Sequence, residues 1–166
     1  MEDDSTKTMT VENLKILPIA NASEIEQGLR DLAAEWTAIR EFWTLDSCMN
    51  TMNSNQDFLS AALVEKEKGS WLGWYLANTQ GHECELLFIY TAKLQRGKGL
   101  ANRLMKDLLD RARKKSSLRA IFLEVRPSNI AAIKLYESHG FAQISRRTRY
   151  YSNGEDALVY RLEIKN

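Results

Sequence analysis

The chain predicts an α/β domain: one central sheet, mixed but mostly antiparallel, flanked by helices. Three observations carry that expectation. Residues 85–91 (Glu-Leu-Leu-Phe-Ile-Tyr-Thr) and 119–125 (Arg-Ala-Ile-Phe-Leu-Glu-Val) are short runs of strand formers with almost no polar break. Between them Leu100, Leu104 and Leu108 recur every four residues, with Ala101, Met105, Leu109 and Ala112 beside them, an apolar stripe at helical period. On either side lie pairs of strand-like runs joined by glycine-bearing turns, the signature of hairpins.

The length of 166 residues fits one domain with its own core. Residues 1–11 read as a flexible, polar amino end and residues 12–166 as the domain. A net charge of +1 gives no global pull toward nucleic acid or a membrane. No apolar run approaches about twenty residues, so no membrane-spanning helix is expected. The acidic, polar start does not read as a signal peptide. Cys48 and Cys84 stand far apart and in no metal or redox motif, which suits a reducing cytoplasm and a protein without a metal.

In chain order, residues 14–19 form a first strand, and Pro18 places it at a sheet edge. Ser23-x-x-Glu26 is a capping box, opening a helix that would run to about residue 42 with Ile25, Leu29, Leu32, Ala33, Trp36 and Ile39 on one stripe. Residues 44–55, rich in Asn, Ser, Thr and Met, read as a loop, followed by a short helix at 56–60. Such a segment either walls a substrate site or merely connects elements. Residues 62–66 and 71–78 make a hairpin around Lys68-Gly69-Ser70, and Gln80-Gly81-His82 turns the chain into the strand ending at Thr91. After the central helix and the strand at 119–125, Pro127-Ser128-Asn129 caps a helix over 129–139 that Gly140 closes. Residues 141–150 and 157–164 form a last hairpin around Ser152-Asn153-Gly154. His82 and His139 read as surface residues.

Chemistry concentrates at two places. The first is the passage from strand to helix through Gln95-Arg96-Gly97-Lys98-Gly99-Leu100-Ala101-Asn102. The first turn of a helix offers N–H groups without internal partners and the positive end of the macrodipole; glycines admit a bulky anion, and Arg96, Lys98 and Arg103 add charge. The stretch is either a phosphate seat or a glycine-rich turn that simply starts a helix. It is neither a dinucleotide fingerprint, whose third glycine position holds Asn102, nor a P-loop, whose first glycine position holds Ala92. The second is Glu124, a carboxylate within an otherwise buried-type strand, which needs a partner or a task. It either pairs with an arginine such as Arg126 or Arg149, or accepts a proton from an amine. Tyr136 on the following helix is either a core-edge residue or a proton donor.

Arg96-x-x-Gly99-x-Ala101 resembles the acetyl-CoA pyrophosphate signature of the GNAT family of N-acetyltransferases, although Lys93 and Gln95 stand where that family usually has proline and an aromatic residue or histidine. The pattern Glu124-Val125, Asn129, Ala132, Tyr136, Gly140-Phe141 is similar to the family's second block, most of all in RimI-type enzymes that acetylate the N-terminal alanine of a ribosomal protein. The resemblance implies a GNAT fold and an acetyl-CoA-dependent N-acetyltransferase. It implies Glu124 as general base, Tyr136 as the acid that protonates the departing CoA thiolate, and Asn129 as a contact to the acetyl-CoA arm. The cofactor-binding set is then Ile89, Tyr90 and Thr91 through backbone groups, with Arg96, Gly97, Lys98, Gly99, Leu100, Ala101, Asn102 and Asn129. Arg146-Arg147-Thr148-Arg149-Tyr150-Tyr151 and Gly154-Glu155-Asp156-Ala157 resemble a further RimI-type segment in which paired tyrosines border the peptide entrance, implying Tyr150 and Tyr151 as acceptor-binding residues. The expected acceptor is a protein or peptide α-amine. A small amine or lysine acceptor, or a non-catalytic acyl-CoA-binding module, are the alternatives.

Overall fold

The structure is a computed structural model that describes residues 13–32, 45–54 and 57–165. Seven strands form one sheet in the order β1-β2-β3-β4-β5-β7-β6. They are β1 Leu14–Pro18, β2 Phe58–Glu65, β3 Trp71–Gln80, β4 Glu83–Thr91, β5 Ala120–Val125, β6 Ala142–Arg147 and β7 Ala157–Glu163. Every neighbouring pair is antiparallel except β4–β5, which is parallel, as a helical crossover requires. The described helices are α1 Ala22–Asp31, α2 Leu45–Ser54, α3 Leu100–Lys114 and α4 Ile130–Ser138. Pro18 does lie on an edge strand.

The sheet is buried on both faces through its middle. On one face α3 presents Leu104, Met105, Leu108 and Ala112 to Leu63, Tyr75, Ile121 and Leu123. On the other, Ile25, Leu32 and Met52 pack with Ala62, Val64, Trp74 and Leu76. Residues 61–64 thus alternate between two cores, which explains why β2 carries no polar–apolar alternation. Gly28 on α1 lies against Trp71: a Cβ there would stand 2.0 Å from the indole, so no larger residue allows this approach.

Three expectations about the first half need correction. The cap of α1 is Asn21, not Ser23. Asn21 Oδ1 accepts from the Glu24 N–H at 3.2 Å, and Glu24 reaches back to the Ala20 N–H at 3.1 Å, so the box sits two residues earlier. Residues 45–54 are helical rather than a loop. Thr51 Oγ1 donates to the Ser47 carbonyl at 2.9 Å and Ser54 Oγ to that of Asn50 at 2.6 Å, so side chains that read as turn formers bond within their own helix. Of the short helix expected at 56–60, residues 58–60 are instead the start of β2, where buried Ser60 donates to the Tyr75 carbonyl at 2.6 Å. The expected continuation of α1 through Trp36 and Ile39 lies outside the described residues, as do residues 1–12.

Candidate active site

β4 and β5 run together only at their starts. Glu83–Leu86 pair with Ala120–Leu123, and beyond Leu86 the two strands have no ladder. A bulge opposite Leu76/Ala77 leaves Leu87 out of register and re-aims the rest of β4. The result is a notch, open between the ends of the two strands, in which residues 87–91 are half-buried.

Next comes a 3₁₀ turn over Lys93–Gln95 and then α3. Gly99 caps that helix in the left-handed region, at φ +76°, and no side chain caps it. Gly97 is also left-handed, and the space where either glycine's Cβ would stand is empty. The first N–H groups of α3 therefore face a cleft with no bulk before them. A cavity of about 590 Å³ opens here, walled on one side by residues 89–91, Arg96, Gly97 and 99–102, and on the other by α4 residues including Asn129, Leu135 and Tyr136. Of the predicted turn residues, Lys98 alone does not line it; its Nζ donates to Gln95 Oε1 at 2.8 Å. Arg96 lies 5.5 Å from the Tyr90 ring centroid. The depth, the bare N–H groups and the charge fit the pyrophosphate and extended arm of acetyl-CoA.

Asn129 caps α4, its Oδ1 accepting from the Ala132 N–H at 3.2 Å. That bond leaves the Asn129 amide donors for a ligand. The cap fixes the phase of α4, and Tyr136 is the helix residue most deeply buried, at 6 % exposure. Burial holds its phenol well above the ordinary tyrosine range, so it stays protonated.

A second cavity, about 460 Å³, shares Ile89, Asn129 and Tyr136 with the first. Glu124, Tyr150 and Tyr151 also line it, so the predicted base, acid and tyrosine pair face one space. Glu124 Oε1 is 2.9 Å from Arg147 Nη1, so its arginine is neither Arg126 nor Arg149. The Tyr150 hydroxyl donates to the same carboxylate, which raises the phenol's pKa. Tyr150 and Tyr151 stack edge to face, 5.2 Å between centroids.

A third space of about 260 Å³ adjoins at Glu85 and Glu124. Glu85 was not singled out from the sequence, although the signal was the one that marked Glu124: an acid in a strand of apolar residues. Desolvation in the cleft and then the nearby Glu124 push its carboxyl up, while Arg147 pulls it down. Arg147 was likewise missed, since β6 is an exposed edge strand and only the fold brings it to Glu124. Cys84, buried in the core, has its thiol pushed up to about 12 by burial, so it is no thiolate nucleophile. Among the described residues no group of His, Cys, Asp or Glu is arranged to hold a metal, and no helix is long and apolar enough to cross a membrane.

Residues 26–141 match the model of the acetyltransferase (GNAT) family. The N-alpha-acetyltransferase RimI of Mycobacterium tuberculosis is 39% identical over 87 residues, 52% of each chain. The ribosomal protein bS18-alanine N-acetyltransferase of Escherichia coli is 29% identical over 158 residues, 93% of this chain and 97% of that one. The crystal structure of the Escherichia coli enzyme superposes with a TM-score of 0.71 at 26% identity, covering 92% of this chain and 95% of that one. The chain spans about half the length of the mycobacterial RimI, and a Mycobacterium leprae protein 43% identical over 89 residues is matched over 24% of its length.

Proposed function

This chain belongs to the acetyltransferase (GNAT) family, and from that footing we propose that it is an acetyl-CoA-dependent N-acetyltransferase acting on the α-amine of a protein or peptide. The observation that carries the proposal is the shared cavity: Glu124 on β5 and Tyr136 on α4 face one 460 Å³ space that continues into the 590 Å³ cleft at Asn129.

Acetyl-CoA, when bound, supplies an acetyl group as a thioester. The chain's part is to seat it, free the amine and return a proton. The α3 N–H groups and Arg96 hold the anionic end, and the half-exposed backbone of 89–91 offers amide partners to the arm. Glu124 takes the proton of the amine, directly or through water, with Glu85 beside it. Tyr136 gives its proton to the sulfur. A phenol raised by burial is a weak acid, but the same apolar walls raise the proton affinity of a thiolate formed beside it, so the transfer stays close to balanced.

The paired tyrosines lining the cavity support a peptide acceptor, as do the relatives, one named an N-alpha-acetyltransferase and the other an alanine N-acetyltransferase of a ribosomal protein. An α-amine, with a pKa of about 8 against about 10.4 for lysine, is freed by a single carboxylate. One observation favours a small cationic amine instead: Glu83, Glu85 and Glu124 all line the 260 Å³ space. Labelled acetyl-CoA offered with free N-terminal peptides, lysine peptides and polyamines decides between them. Label on the N-terminal peptides supports the proposal; label on lysine side chains or polyamines alone overturns it.

A further inference from the structure

We infer that Glu155 and Arg126 are positioning residues that hold Tyr151, and with it the acceptor wall, against the start of α4; the inference rests on the acceptor reading above. The β6–β7 connection has a composition that would fray if left alone: Ser152, Asn153 and Gly154 at its tip. It is instead tied on every side. The Tyr151 N–H donates to the Glu155 carbonyl at 3.0 Å and the Gly154 N–H to that of Tyr151 at 2.8 Å, closing the turn on itself. Glu155 Oε1 accepts from the Ser128 N–H at 2.9 Å, one residue before the Asn129 cap. Its Oε2 accepts from Arg126 Nη1 at 3.0 Å, and that same nitrogen donates to Asn153 Oδ1 at 2.9 Å.

Above this fork sits the ring of Tyr151, with the guanidinium carbon 3.8 Å from its centroid. The two charged partners are 16% and 22% exposed, so the pair is poorly screened. Tyr151 in turn meets Tyr150 edge on, and Tyr150 donates to Glu124. One carboxylate therefore joins the helix that carries Asn129 and Tyr136 to the turn that carries both tyrosines. A planar guanidinium is needed, since it bonds sideways and stacks with its face at once, which an ammonium does not. Hydrogen bonds from Ser128 and Arg126 push the Glu155 carboxyl down to about 2, so the tie keeps its charge across the pH range of an amine acetylation.

Glu155→Gln and Arg126→Lys are assayed in the full chain with an accepted peptide. Both variants should raise the acceptor KM about tenfold through lost preorganisation, leaving the acetyl-CoA KM and CoA affinity by calorimetry unchanged. The rise for Glu155→Gln should be the same at neutral and alkaline pH. Tyr151→Ala should give the same rise and add nothing when combined with Glu155→Gln. An unchanged acceptor KM in folded protein, equal losses toward both substrates, or additive effects overturn the inference. Ring resonances of Tyr151, followed by NMR without substrates, test the positioning separately. They should broaden and shift in both variants, and an unmoved ring rejects the inference even where the enzyme takes a different acceptor. Wild-type protein that acetylates no amine, with the ring shifts as expected, would reject the acceptor reading and leave the tie intact.

Discussion

The two ends of the cleft are built from different materials. The wall near α3 is mostly backbone: bare N–H groups, two left-handed glycines and a strand end that has left its ladder with β5. The wall near the tyrosines is mostly side chains, drawn from β4, β5, β6 and the β6–β7 turn, and locked by charge. A ligand common to a whole family can be held by geometry that any sequence with the right glycines reproduces. An acceptor that differs between members is met by side chains that can change without rebuilding the fold.

Mutations should separate the two walls. Tyr136→Phe, at their junction, should have the largest effect: a loss of about 10²–10⁴ in kcat with acetyl-CoA affinity kept, because only the proton is removed. Rapid-quench turnover set beside calorimetry checks it, and wild-type turnover would end the assignment of Tyr136 as acid. Gly99→Glu should act on the backbone wall alone, weakening CoA by about tenfold or more. It puts a carboxylate before the helix N-terminus and forces a side chain into the left-handed region, at about 1–2 kcal/mol of stability. Calorimetry on a variant that melts cooperatively decides this, and undiminished CoA affinity would refute the phosphate seat.

Glu85→Gln should have the smallest and most selective effect, a few-fold fall in kcat/KM for the amine with nothing lost toward CoA. Its sign in stability is opposite. The Glu85 carboxyl is raised in the folded protein above its ordinary 4.5, so the native state holds the proton more tightly and loses stability as pH rises through that window. The Gln variant should therefore melt slightly higher than wild type at neutral pH, and the gap should close below the ordinary carboxylate range. Thermal melts at both pH values check it; a lower Tm at neutral pH would show that Glu85 is a structural group rather than a strained, functional one.

This contrast also governs what was legible in the sequence. The glycine turn, the Leu100–Leu108 stripe and the Asn129 cap are local patterns, and each was found where it was expected. Glu124 stood out as an acid in a buried-type strand and Tyr136 through the resemblance to the family's second block, and both line one cavity. Arg147 and the Arg126–Glu155 tie were not legible, because each depends on segments adjacent in the fold but remote in sequence; Glu85 carried the same local signal as Glu124 and was passed over. Helix α2 was missed because Ser and Thr bonded inward along the helix have the composition of a loop. The Asn21 box was missed because Ser23 and Glu26 present an equally good spacing two residues on.

The short parallel seam between β4 and β5 bears on how the chain assembles. β1 joins β2 across a long excursion, but β2, β3 and β4 follow one another through short turns, and β6 and β7 through residues 148–156 alone. Those pairings close small loops, whereas the seam of four residue pairs closes only after α3 has spanned the distance between the strands. The sheet then behaves as two blocks joined by a narrow weld. The weld borders the cleft, so a molecule lodged there touches both blocks at once and acts as a clasp: every increment of its affinity is returned as resistance of the whole chain to unfolding.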